Sequence, residues 1–209
     1  MAAAFFFKGL AIGFLIAAPV GPIGVLCIRR SLVDGFRTGL ATGLGAATAD
    51  AAYGCVAGFG LTAISNFLVG QRPWLELIGG AFLCYIGIRT MASKPAEQST
   101  GSGGNRLLAA YLSTVALTLT NPATILSFAA VFLGLGLAAA GGYTAATSLV
   151  LGVFTGSALW WLILSGGVGL LRSRLKSDWL RAVNQLSGAL LIAFGIYALT
   201  HRFFSGTPK

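Results

Sequence analysis

Apolar residues run in long blocks separated by short charged or Gly/Pro-rich breaks, and the blocks are longer than the interior of a soluble domain needs. From Leu107 to Leu171 there is no Asp, Glu, Lys, Arg or His. Lipid tolerates a continuous apolar surface of that extent, and a helix needs roughly 20 such residues to cross the hydrocarbon core. Marking blocks of that length predicts six spans, at approximately 6–28, 39–67, 73–91, 107–137, 143–171 and 182–201. The second and fourth exceed what a bilayer needs and are expected to tilt, bend or protrude. The expected fold class is all-α and integral to the membrane. Lys8 followed by an apolar run has the look of a signal peptide. However, Gly9 to Ile28 is long enough to span, Pro19 breaks the cleavage region and more spans follow, so the segment is expected to be retained.

Composition agrees: 56% of the 209 residues are hydrophobic and 9% charged, against about 25% charged in soluble domains. The net charge of +9 does not point to nucleic acid, because the basic residues sit between apolar blocks and form no basic face. They report topology instead. Arg29, Arg30 and Arg37 follow span one, Arg89, Lys94 and Arg106 follow span three, and Arg172, Arg174, Lys176 and Arg181 follow span five. The opposite side has only Lys8, Arg72, Arg202 and Lys209. The positive-inside rule places the richer set in the cytoplasm and both termini outside.

The segment 94–105 has the Gly/Ser/Pro-rich, polar composition of a flexible cytoplasmic linker. It divides the chain into 1–93 and 106–209, and these halves resemble each other. Pro22-Ile23-Gly24-Val25-Leu26 falls on Pro122-Ala123-Thr124-Ile125-Leu126. Thr48-Ala49-Asp50-Ala51 falls on Thr155-Gly156-Ser157-Ala158, and Gly80 with Gly87-Ile88 falls on Gly188 with Gly195-Ile196. Three matches in one order, at offsets drifting only from 100 to 108, predict a repeat of three helices. Three is odd, so the second copy enters the membrane in the opposite sense, an inverted-topology arrangement.

The chemistry-bearing residues lie at the same places. Pro19, Gly21 and Pro22 sit near the middle of span one, where each proline removes a helical donor and frees the carbonyls of Leu15 and Ala18. Non-helical backbone at membrane depth survives where protein or a water-filled cavity satisfies it, so the break is expected to line a site. A plain packing kink is the alternative. Thr120, Asn121 and Pro122 form the related break in span four, and half-helix N-termini after Pro22 and Pro122 would suit a carboxylate. Asp50 is the acidic residue lying deep in a span, whereas Glu76 sits near the start of span three and Asp34, Glu97 and Asp178 fall in connections. A carboxylate at the centre of a membrane helix costs roughly 2.5–3.5 kcal/mol on insertion scales and is by default functional. Asp50 is expected to bind an ammonium or carry a proton; tying helices together through Thr48 or Ser157 is the plainer role.

Cys27, Cys55 and Cys84 lack metal-ligand or redox spacing and read as small hydrophobes in helix packing. His201, Trp160, Trp161 and Trp179 read as interface or packing residues. With no nucleotide loop, metal-ligand cluster or nucleophile–base set, neither an enzyme nor a cofactor is expected.

Gly13-Phe14, Pro19-Val20-Gly21-Pro22, Arg30-Ser31-Leu32 and Gly35-Phe36-Arg37-Thr38-Gly39-Leu40, followed by Asp50, resemble the LysE/RhtB family of amino-acid exporters. Gly80 to Arg89 is similar to that family's third-helix pattern and Leu119-Thr120-Asn121-Pro122 to its fourth. The resemblance implies efflux of amino acids or related metabolites across the bacterial inner membrane, driven by an ion gradient, most simply protons, in a protein that is proposed to form a homodimer. The sequence leaves three rivals. A metal or cation exporter of the wider superfamily would be expected to show His-rich or Cys-bearing segments. A thiol–disulfide carrier would need paired cysteines in the two halves. The third is a scaffolding membrane protein.

Overall fold

The computed structural model describes residues 2–19, 21–59, 71–92, 103–121, 124–125, 127–128, 142–172 and 177–204. Among them are seven helices and no strand: α1 (Ala2–Ala17), α2 (Pro22–Val33), α3 (Phe36–Gly58), α4 (Arg72–Ala92), α5 (Gly103–Leu119), α6 (Gly142–Arg172) and α7 (Ser177–Phe204). The apolar surface is turned outward: Leu15, Ile88, Leu170 and Leu186 are exposed, while Thr42, Thr114, Ser157 and Asn184 are fully buried. Water would penalise that arrangement, whereas a bilayer rewards it. The protein is a multi-pass helical membrane protein.

Among the described residues, three helices are long and apolar enough to cross by themselves, over Trp74–Ala92, Gly142–Leu171 and Arg181–Thr200. The first expected span is two helices rather than one: α1 and α2 meet at 81° across a break of a few residues and together make a fourth candidate. α3, at 23 residues, has the length but is diluted by Gly, Thr and Asp50, and α5 stops after 17 residues. The far ends of expected spans two and four, 60–67 and 129–137, lie outside the described residues. α5 begins at Gly103, so its first turn overlaps the expected 94–105 linker, whose earlier part also lies outside them.

Small residues set the packing. Gly9 and Gly13 of α1 face the backbone of Leu149 and Val153 on α6, and Gly152 and Gly156 of α6 face Phe6 and Leu10 in return. Both pairs have four-residue spacing, which lets membrane helices approach backbone to backbone. The numbers rise together on the two helices, so α1 and α6 run parallel. α5 runs parallel to α3: the Tyr111 hydroxyl donates to Thr48 Oγ1 at 2.9 Å and, further along, the Tyr53 hydroxyl donates to the Leu119 carbonyl at 2.7 Å. α4 and α7 are antiparallel, with an added Cβ at Gly80 reaching the Gly195 carbonyl at 3.0 Å and one at Gly87 reaching that of Gly188 at 2.9 Å. α3 and α6 are antiparallel as well, with Gly43 against Trp161 and Gly54 against Val153.

The corner from α2 to α3 needs Gly35, whose φ of 97° lies in the left-handed region. Buried Cys27 packs there, with its thiol against Ser165 Oγ at 3.3 Å, and the Cys84 thiol lies 3.9 Å from the Ile192 carbonyl. All three cysteines are free.

Candidate functional site

Both expected breaks are present, and they restart their helices in the same way. After α1, the Ala18 N–H still donates to the Phe14 carbonyl at 3.0 Å, but Gly21 is extended, with φ −108° and ψ −160°, and Pro22 opens α2. Proline suits that first helical position because its N–H would lack a partner in any case. The Val25 N–H then donates to the Gly21 carbonyl at 3.0 Å. One hundred residues later, α5 ends at Leu119, and the Ile125 N–H donates to the Asn121 carbonyl at 3.2 Å. Thr120 Oγ1 donates back to the Ala116 carbonyl at 2.9 Å. The Tyr53 hydroxyl satisfies the carbonyl that α5 leaves open at Leu119. At the start of α2, the N–H groups of Ile23 and Gly24 precede the first intrahelical donor and point back toward the break.

A cavity of about 870 Å³ lies between the breaks, walled by α3, α4, α6 and α7. Of the expected site residues, Pro19, Gly21, Pro22, Asp50, Thr120 and Asn121 line it. A Cβ built on Gly21 meets nothing within 4 Å. Ser157 does not line the cavity but stands behind Asp50, donating its hydroxyl to Asp50 Oδ2 at 2.7 Å. It accepts in turn from Trp161 Nε1 at 3.1 Å. Thr48 plays no part in this, since its Oγ1 donates to the Leu44 carbonyl. Pro122 lies outside the described residues.

The cavity also holds groups outside the set of expected site residues. Glu76, 7% exposed, lines it from α4. So does Thr118, whose Oγ1 is buried without a hydrogen-bond partner. Trp161, taken as a packing residue, is both a core residue and part of the wall. The signal for Glu76 was its register: Glu76, Gly80 and Leu83 follow at four and then three residues, which is one helical face, and Gly80 belongs to the expected repeat.

At the far end of α2 the basic residues do more than report orientation. Arg29 Nε donates to Asn184 Oδ1 of α7 at 2.8 Å and Arg29 Nη1 pairs with Asp34 Oδ2 at 3.1 Å. Arg106 of α5 pairs with the other Asp34 oxygen. Arg30 donates to Thr42 Oγ1, the Ala110 carbonyl, Thr114 Oγ1 and Ser113 Oγ, all at 3.0–3.1 Å. The guanidinium forks thus tie α2 to α3, α5 and α7. Between this cluster and the cavity, Val25, Leu26 and Cys27 are buried in the core.

Among the described residues there is no group of three or more His, Cys, Asp or Glu placed to hold a metal ion. No solved structure matches the chain. The chain is 28% identical over 198 residues to the "Putative amino acid efflux protein YcgF" of Bacillus subtilis, covering 92% of this chain and 93% of that one. It is 27% identical over 202 residues to the "Chemotactic transduction protein ChpE" of Pseudomonas aeruginosa, covering 94% and 98%. The family model described as LysE type translocator matches residues 14–202. With that match spanning almost the whole chain, and with broken helices around a cavity in a lipid-facing bundle, the protein belongs to the LysE type translocator family.

Proposed function

We propose that this translocator exports amino acids or closely related metabolites across the bacterial inner membrane, exchanging each for a proton at Asp50. One observation carries the reading: the only carboxylate deep in a predicted span lines the same cavity as both helix breaks. A zwitterion matches that lining. Its carboxylate suits the first-turn N–H groups of α2 and the positive end of the helix dipole. Its ammonium suits Asp50, which can release a proton as the cation arrives and take one up as it leaves.

The architecture we propose is six spans in two inverted three-helix repeats, 1–93 and 106–209, joined by a cytoplasmic linker, with both termini outside. Packing directions support it. α1, α4 and α6 running one way and α3, α5 and α7 the other satisfies every parallel and antiparallel pair described above. The repeat offsets also map contacts onto contacts: Gly80 against Gly195 becomes Gly188 against Gly87, and Asp50 sits on its own repeat partner, Ser157, 107 positions away. Inverted repeats of this kind give alternating access by exchanging the conformations of the two halves.

The test is reconstitution of the purified protein into vesicles loaded with single labelled amino acids. Outward movement is expected to accelerate when an inward proton gradient is imposed. Loss of label no faster than from protein-free vesicles, for every amino acid tried, would overturn the assignment.

A further inference from the structure

The cavity extends toward one end of the bundle and is closed toward the other. Its lining runs to Glu76 near the start of α4 and to Ala198 near the end of α7. In the opposite direction it stops at Gly24 on α2 and at Leu83 on α4. The next residues that way, Leu26, Cys27 and Ile86, are buried in one apolar cluster. Beyond them on α2 lie Arg29 and Arg30, which bond to α3, α5 and α7. An apolar plug and then a polar tie therefore separate the cavity from the arginine end, and α2 contributes to both.

α2 is placed to move as a unit. It is a 12-residue helix between two glycines. Gly21 before it is extended, and a Cβ there would meet nothing within 4 Å. Gly35 after it has a φ of 97°, a conformation that suits glycine. A short helix between positions that can absorb backbone rotation is the arrangement of a hinged element. Its ties are also releasable. The four bonds from Arg30 to α3 and α5 go to neutral acceptors. Thr42 and Thr114 each donate to a carbonyl of their own helix, at 2.9 and 2.8 Å, so neither hydroxyl loses its outgoing bond when Arg30 leaves. Both arginines are only part-buried, and water can replace the acceptors once they turn outward.

We propose that α2 is the gate closing the cavity at its arginine end, with Arg29 and Arg30 as the latch that holds it to α3, α5 and α7. The proposal rests on the alternating-access reading above. α2 swings about Gly21 and Gly35, the arginines exchange their acceptors for water, and Leu26 and Cys27 leave the plug. Cys27 is a built-in reporter of that motion: it is fully buried with the gate closed and becomes reachable from the arginine end when the gate opens.

The test leaves Cys27 as the sole thiol, with Cys55→Ala and Cys84→Ala, and labels it in membrane vesicles with an uncharged, membrane-impermeant maleimide-polyethylene glycol. A single-cysteine Arg37→Cys protein, exposed at the arginine end, identifies the vesicles that present that face. Arg30→Gln is expected to speed Cys27 labelling from that face by about tenfold, the order expected for losing hydrogen bonds from a charged group, and to leave labelling from the other face unchanged. Ser113→Ala with Thr114→Val keeps the arginine and nearly all the volume but removes two acceptors. It is expected to give a smaller rise, and it carries the test if Arg30→Gln does not insert. General loosening of the bundle would also expose Val153, which is fully buried on α6 against α1. A sole thiol introduced by Val153→Cys is therefore expected to stay unlabelled with either change. Unchanged Cys27 labelling in the inserted variants, equal rises from both faces, or labelling at position 153 would overturn the gate. The vesicle export assay reads the solute and this one reads the gate, so failure of one is told apart from failure of the other.

Discussion

The Ser157 hydroxyl donates a 2.7 Å hydrogen bond to the Asp50 carboxylate, joining the middle of α3 to the middle of α6 between two positions that the proposed internal repeat makes equivalent. The bond holds Asp50 at the cavity wall, and Trp161 in turn holds Ser157. Each residue has both a structural and a chemical part. Asp50→Asn keeps the size and can still accept from Ser157 but cannot ionise. It is expected to give folded, membrane-inserted protein whose export is abolished or no longer responds to a pH gradient, while Asp50→Glu retains some activity. Export from loaded vesicles with and without the gradient decides it, and gradient-driven export by Asp50→Asn at the wild-type rate would leave Asp50 a helix-tying residue only.

The helix breaks are expected to behave as a pair. Pro22→Ala, Pro122→Ala and Asn121→Ala should each leave insertion intact and lower export strongly, because a straightened helix withdraws its backbone groups from the cavity. Tyr53→Phe attacks the same region from outside it. Without the hydroxyl, the Leu119 carbonyl loses its 2.7 Å partner, an expected loss of about 1–3 kcal/mol, measured as a lower midpoint of thermal unfolding in detergent. Near-normal export by both proline variants would reduce the breaks to packing features.

Glycines separate into those at close backbone approaches and those in open space. A Cβ at Gly156 would sit 2.8 Å from the Leu10 backbone carbon, whereas at Gly166 it would meet nothing within 4 Å. Gly156→Ala is therefore expected to push α1 off α6 and cost about 1–3 kcal/mol. Gly166→Ala is expected to be neutral or stabilising by up to about 1 kcal/mol through helix propensity. Unfolding midpoints of the two variants in one detergent make the comparison, and equal effects would contradict the backbone-to-backbone packing of α1 on α6.

Orientation is checked with a reporter active only outside the membrane, fused within 94–105 or after Lys209. Activity is expected at Lys209 and none in the linker. The reverse pattern would overturn the topology drawn from the arginine and lysine distribution.

The sequence by itself determined the class of protein and the position of its breaks. Apolar blocks of spanning length follow from the hydrocarbon thickness, and Pro19, Pro22 and the Thr120-Asn121-Pro122 run interrupt helices because proline lacks a donor wherever it falls. Asp50 stood out for the same local reason, the cost of a carboxylate at membrane depth. The repeat offsets gave Ser157 as its counterpart, but only packing of α3 against α6 could make counterparts into hydrogen-bonded neighbours. Tertiary structure alone decided the rest. Glu76 was placed only near the start of a span until α4 packed against α7 and turned that face into a cavity wall. Trp161 looked like a packing residue, and Arg29 and Arg30 like orientation signals, until neighbouring helices supplied Ser157 to the indole, Asn184 to Arg29, and Thr42, Ser113 and Thr114 to Arg30. Hydropathy and proline effects act over a few residues and can be read along the chain. Which polar side chain meets which depends on helix faces brought together from positions as far apart as 155 residues, and no local pattern encodes that choice.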